Sequence, residues 1–86
     1  MNIQPNFTNR ETYIAWRANW RVAYKTLSKE IHDLKRKIKE DSRANLSTGR
    51  AQNELRFLRE QANRMMLIRE EAKALKAEQL SQQQAA

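Results

Sequence analysis

The chain has 86 residues, with one Gly, one Pro and no Cys. So few breakpoints exclude a hairpin-rich β-fold and leave one domain of long helices. Without cysteine there is neither a disulfide framework nor a thiolate metal site. Lys and Arg number 17 against 10 Asp and Glu, for a formal charge of +7. The excess is concentrated early: residues 1–45 hold ten basic and five acidic groups, and residues 46–86 hold seven and five. A basic first half suggests an anionic surface as partner: nucleic acid, lipid head groups or an acidic protein. No membrane span is expected, because apolar runs such as Met65 to Ile68 are far too short to cross a bilayer, and no membrane partner is expected. No N-terminal segment has the basic start and apolar run of a secretory signal, so a cytoplasmic location is expected.

Residues 1–7, with Pro5 and little periodicity, read as a mobile N-terminal arm. Thr8-Asn9-Arg10-Glu11 has the form of a capping box, Thr8 serving the amide of Glu11 and the Glu11 carboxylate reaching back. Helix 1 is predicted over about 8–41, roughly 50 Å long. Its apolar ladder is Tyr13, Trp20, Tyr24, Leu27, Ile31, Leu34 and Ile38, and from Trp20 onward the steps alternate four and three. A second stripe of Arg10, Arg17, Arg21, Lys25, His32, Lys35 and Lys39 falls within roughly 80° of one another, about a quarter turn from the first. Helix 1 thus offers an apolar seam to a helical partner and a basic ribbon to an anionic one.

The stretch 42–47 is the predicted turn, within the run of turn-formers from Asp41 to Gly49. Asn45 is suited to end helix 1 in a left-handed conformation, and Ser47 or Thr48 to cap helix 2. The rival reading makes Gly49 the C-cap of a longer first helix. Helix 2 is predicted over about 48–78, with a seam of Ala51, Leu55, Leu58, Ala62 and Met65. Beyond Met66 the pattern slips, placing Arg69 and Lys76 on the seam and Ile68, Ala72 and Leu75 beside it. Residues 81–86 read as a disordered tail, leaving 8–80 as the helical hairpin.

Folded back on one another, the helices accept an antiparallel register in which paired residue numbers sum to about 89. Leu34 then faces Leu55, Ile31 faces Leu58, and Leu27 faces Ala62. Trp20 meets Arg69 and Tyr13 lies near Lys76, so cation–π contacts replace aliphatic ones where the seam slips. The expected architecture is all-α: two long antiparallel helices dimerising into a four-helix bundle, since a lone hairpin of this size leaves apolar surface uncovered. A parallel coiled-coil dimer of one nearly continuous helix is the competing architecture.

Spacings of one or two helical turns along about 44 Å of ribbon suit contacts to successive phosphates. No separate set of side chains reads base edges. Arg59, Glu60 and Lys73 on helix 2 lie away from the ribbon. Trp16 sits at the edge of the seam; with Trp20, Phe57, Met66, Leu67 and Ile68 it forms the expected dimer or partner interface. Aromatic rings beside arginines also suit base stacking. His32 is the only histidine, so a metal site lacks its ligands. No Gly-rich phosphate loop, nucleophile elbow or acid–base pair is present, and neither an enzyme nor a cofactor is expected.

The segment Asn9-Arg10-Glu11-Thr12-Tyr13 through Trp16-Arg17 and Trp20, continuing into Tyr24-Lys25-Leu27-Ser28, resembles the start of short uncharacterised accessory proteins carried by bacterial viruses. The resemblance covers the first third of the chain and brings no active residues with it. It implies an accessory protein in the cytoplasm of a bacterial host, binding nucleic acid or obstructing a host complex that does. In architecture the chain is similar to small RNA-binding helical hairpins, an analogy of fold alone. Sequence reading therefore favours nucleic-acid binding through the helix 1 ribbon. The alternative is a phage-type inhibitor or adaptor on an acidic surface of a host protein complex.

Overall fold

A computed structural model describes residues 3–85 of the chain. It is an antiparallel helical hairpin: α1 spans Arg10–Arg43, α2 spans Gly49–Ala85, and no strand occurs among the described residues. The rod measures 65 × 16 × 16 Å.

The start of α1 departs by one residue from the capping box expected at Thr8 and Glu11. Asn9 is the N-cap, and its side chain accepts the Thr12 amide hydrogen at 2.9 Å. The Thr12 hydroxyl in turn accepts from the backbone amides of both Asn9 and Thr8, each at 3.0 Å. One short side chain thus satisfies two otherwise orphaned donors, where Glu11 would have answered one. Glu11 instead lies exposed in the first turn, where its charge complements the helix dipole.

At the other end Asn45 adopts a φ of 58°, the left-handed conformation expected of it. The Leu46 amide donates to the Asp41 carbonyl at 2.9 Å and the Asn45 amide to the Ser42 carbonyl at 3.1 Å. Those two bonds make a Schellman ending. Gly49 is the first residue of α2, so it does not cap α1. Thr48 precedes α2: its carbonyl accepts the Gln52 amide hydrogen, and its hydroxyl accepts from Gln52 Nε2, both at 2.8 Å.

The apolar ladder of α1 faces α2 as expected, but burial is uneven along the rod. Phe7, Trp16, Trp20, Leu27, Met65 and Ala72 form one buried cluster, whereas Leu34, Ile38 and Ala51 nearer the turn are half-buried. The thick half of the core is the half that holds the chain ends.

Residues 3–9 explain that thickness and correct the expectation of a mobile arm over 1–7. Phe7 is 3% exposed, its ring 4.9 Å from that of Tyr13 and 5.7 Å from that of Trp16. Trp16 Nε1 donates to the Gln4 carbonyl at 3.1 Å, and Gln79 Nε2 donates to the Phe7 carbonyl at 3.2 Å. Ile3 packs against the same cluster. Met1 and Asn2 of that arm lie outside the described residues.

The residues of the slip in helix 2 join the same cluster as the arm. Ile68, Ala72 and Leu75, expected beside the seam, belong to the core here, and Ala72 is 1% exposed. Ile68 lines a groove with Ile3 of the arm, while Arg69 and Lys76 lie at the flank over the rings of Trp20 and Tyr13. The tail expected to be disordered over 81–86 is helical as far as Ala85, and Ala86 lies outside the described residues.

Candidate phosphate-binding groove

Two aromatic side chains of α1 set the geometry of the flank where the ribbon lies. Trp20 Nε1 donates to the Met65 carbonyl at 2.9 Å, which locks the register of the helices in their thickest part. With the register fixed, Arg69 stands 5.4 Å from the centroid of the Trp20 ring, and Lys76 Nζ stands 4.5 Å from that of Tyr13. Both contacts join residues whose numbers sum to about 89, the register read from the pattern of seam residues.

These contacts draw the cations of α2 alongside the ribbon. Arg17 and Arg21 of α1 and Arg69, Lys73 and Lys76 of α2 line one open groove of about 600 Å³, floored by Tyr13, Trp16 and Trp20. Toward the chain ends an adjoining hollow is lined by Arg10, Asn9, Tyr13, Lys76, Gln79 and Leu80. No carboxylate lines either surface. Lys73, expected to lie away from the ribbon, is therefore part of the same surface, because the hairpin brings that flank of α2 beside α1.

All seven ribbon residues are exposed. The structure brings Arg10, Arg17 and Arg21 together with cations of α2. Lys25, His32, Lys35 and Lys39 continue the stripe along α1 toward the turn and do not line the groove. Two ion pairs occur among the described residues, Arg36 with Asp33 at 3.2 Å and Lys73 with Glu70 at 3.5 Å. Neither involves a ribbon residue, and such exposed pairs contribute about 0–1 kcal/mol. Lys73 is thus held weakly enough to turn toward an anion.

The expected interface residues divide sharply. Trp16 and Trp20 are buried within the one chain, so neither is free to meet a second subunit or a partner. The reason for Trp16 is the arm: Phe7 takes the place assigned to a neighbouring subunit. Met66 is exposed, Phe57 is 58% exposed and Leu67 is 64% exposed, so all three are left to solvent by the hairpin. Ile68 is half-buried, packing on the core and lining a second groove with Ile3, Leu27, Phe57 and Leu58. That groove lies across the seam from the basic one, since Glu30, at its edge, is about half a turn round α1 from Arg21.

Arg69, Lys73 and Lys76 were missed as site residues because they stand outside the helix 1 stripe. The signal that finds them is the pairing of aromatic and basic residues at the slipped seam, taken as wall rather than core.

Among the described residues no helix is long and apolar enough to cross a membrane, and no group of three or more His, Cys, Asp or Glu converges as metal ligands do. No protein-family model matches the chain, and neither a curated protein nor a solved structure matches it.

Proposed function

We propose that this protein binds nucleic acid, holding its phosphates in the groove between α1 and α2 and along the ribbon that continues from it. The observation that carries this reading is the convergence of Arg17 and Arg21 with Arg69, Lys73 and Lys76 on a concave surface without a carboxylate. Five cations from two helices repel one another, and an anion in the groove relieves that repulsion. Phosphates that enter release condensed counterions, a gain that rises as salt falls.

The testing experiment compares salt dependence in two charge-matched variants. Replacing Arg17 and Arg21 by Gln should lower the slope of log affinity against log salt by about 1.5 to 2 units on a duplex, at about 0.9 per lost phosphate contact. Replacing Lys37 and Arg59 by Gln removes the same charge elsewhere: Lys37 is on the opposite side of α1, and Arg59 is an exposed residue of α2 outside both the groove and the ribbon. That control should leave the slope nearly unchanged. A wild-type protein without salt-sensitive affinity for DNA or RNA would reject the reading and move the ribbon to an acidic protein surface, as an inhibitor of a host complex would use it.

We also propose that a second copy of the chain covers the Phe57 side, as the sequence expectation of a homodimer requires. Phe57, Gln61, Arg64 and Ile68 step by four, three and four residues along one side of α2. An antiparallel pairing of two such stripes sets Phe57 against Ile68 of the second copy, twice over by symmetry. Both basic grooves then stay on outer flanks, and Gln61 of each copy faces Arg64 of the other.

A further inference from the structure

Resting on the nucleic-acid reading above, we infer that the groove takes a linear chain of phosphates and makes no use of bases. A stacking platform needs an aromatic face open to solvent. The aromatic floor of this groove has none to offer. Trp20 is 5% exposed, with Tyr24 stacked at 4.9 Å and an interplanar angle of 7°, and the Arg69 guanidinium stands over its ring. Trp16 is 7% exposed and is packed by Phe7 and Tyr13. Tyr13 is half-buried, with Phe7 at 4.9 Å in a T-shaped contact and the Lys76 ammonium over its ring. A ligand entering the groove therefore meets cations where a base-binding site would present rings.

The rings still serve the site, as supports. A long cationic side chain gives up rotamer freedom when it grips an anion, and that loss weakens binding. Arg69 and Lys76 have already surrendered part of it to Trp20 and Tyr13. Their heads rest over those rings at the groove wall, with N–H donors left to bind oxygen. Arg17, Arg21 and Lys73 complete the wall as exposed cations. Phosphates recognised this way are indifferent to the base each one carries. The same chemistry is presented by the sugar–phosphate backbone of a nucleic acid and by inorganic polyphosphate.

The test is calorimetric titration of the full chain with three ligands. These are a single strand of about 12 nucleotides, within the usual range of site sizes, an abasic strand of the same length, and inorganic polyphosphate of similar charge. The abasic strand should bind within threefold of the base-bearing one. Arg17→Gln with Arg21→Gln should weaken both at least tenfold, and so should Arg69→Met, which keeps an unbranched apolar stem but removes the guanidinium. An abasic strand bound more than threefold more weakly than the base-bearing strand overturns the inference while leaving nucleic-acid binding intact. Polyphosphate bound with neither strand overturns the nucleic-acid reading and leaves the phosphate-chain groove standing. Failure of all three ligands, or affinities that ignore the groove variants while circular dichroism stays helical, overturns the groove as the site.

Discussion

The Arg69 guanidinium lies over the ring of Trp20, 5.4 Å from its centroid, so one arginine both roofs the core and walls the groove. Stability and binding are therefore coupled at this position. Arg69→Met should lower stability by about 0.5–2 kcal/mol through the lost cation–π contact, measurable in urea. Binding should fall as well. Arg69→Lys should recover part of the stability and most of the salt slope, since it restores the charge without the flat stack.

Trp20 ties the helices by a polar contact as well as by area. Trp20→Phe removes the hydrogen bond to the Met65 carbonyl and part of the buried ring. A loss of about 1–3 kcal/mol is expected from the bond and the missing atoms together. The thermal midpoint of the variant reports it. No change would mean that the indole N–H does not hold the register.

Phe7 makes the arm part of the core. Phe7→Ala should cost about 3 kcal/mol, the low end for a buried phenylalanine because a terminal segment can resettle. Trp16 loses its cover at the same time, so tryptophan emission should shift to the red. If both the midpoint and the emission match the wild type, residues 3–9 do not pack as described.

The seam is tested by two aspartates. Leu27→Asp buries a carboxylate without a partner in the cluster and should cost several kcal/mol, enough to unfold a chain of this size. Lys37→Asp, at an exposed position opposite the ribbon, should change stability by less than about 0.5 kcal/mol. Similar behaviour of the two would show the phase of α1 to be wrong.

Self-association is tested at Phe57, which is more than half exposed in the single hairpin. Sedimentation of the wild-type chain should give the mass of a dimer, and Phe57→Glu should return it to a monomer with its helicity unchanged. A wild-type monomer at all concentrations would remove the second copy from the Phe57 side.

Much of this molecule follows from spacing alone. The four-and-three steps from Trp20 to Ile38 and from Ala51 to Met65 determine two helices and the faces they bury, because helical period is a local property. Asn45 determines the end of α1, since a left-handed residue is needed there and asparagine tolerates it. Even the pairings of Trp20 with Arg69 and Tyr13 with Lys76 are legible, because an antiparallel register is fixed once a few layers match. The ribbon of seven basic residues is legible for the same local reason. Tertiary structure alone decided what covers the thick end of the core. Residues 3–9 carry no periodicity, and their place is set by contacts with both helices: the rings of Tyr13 and Trp16 on α1 and the Gln79 amide on α2. That docking covers Trp16 with Phe7 and bonds its indole N–H to the Gln4 carbonyl. The groove too belongs to tertiary structure: a surface made of two helices exists only when both are in place, and no single stripe of the sequence contains it.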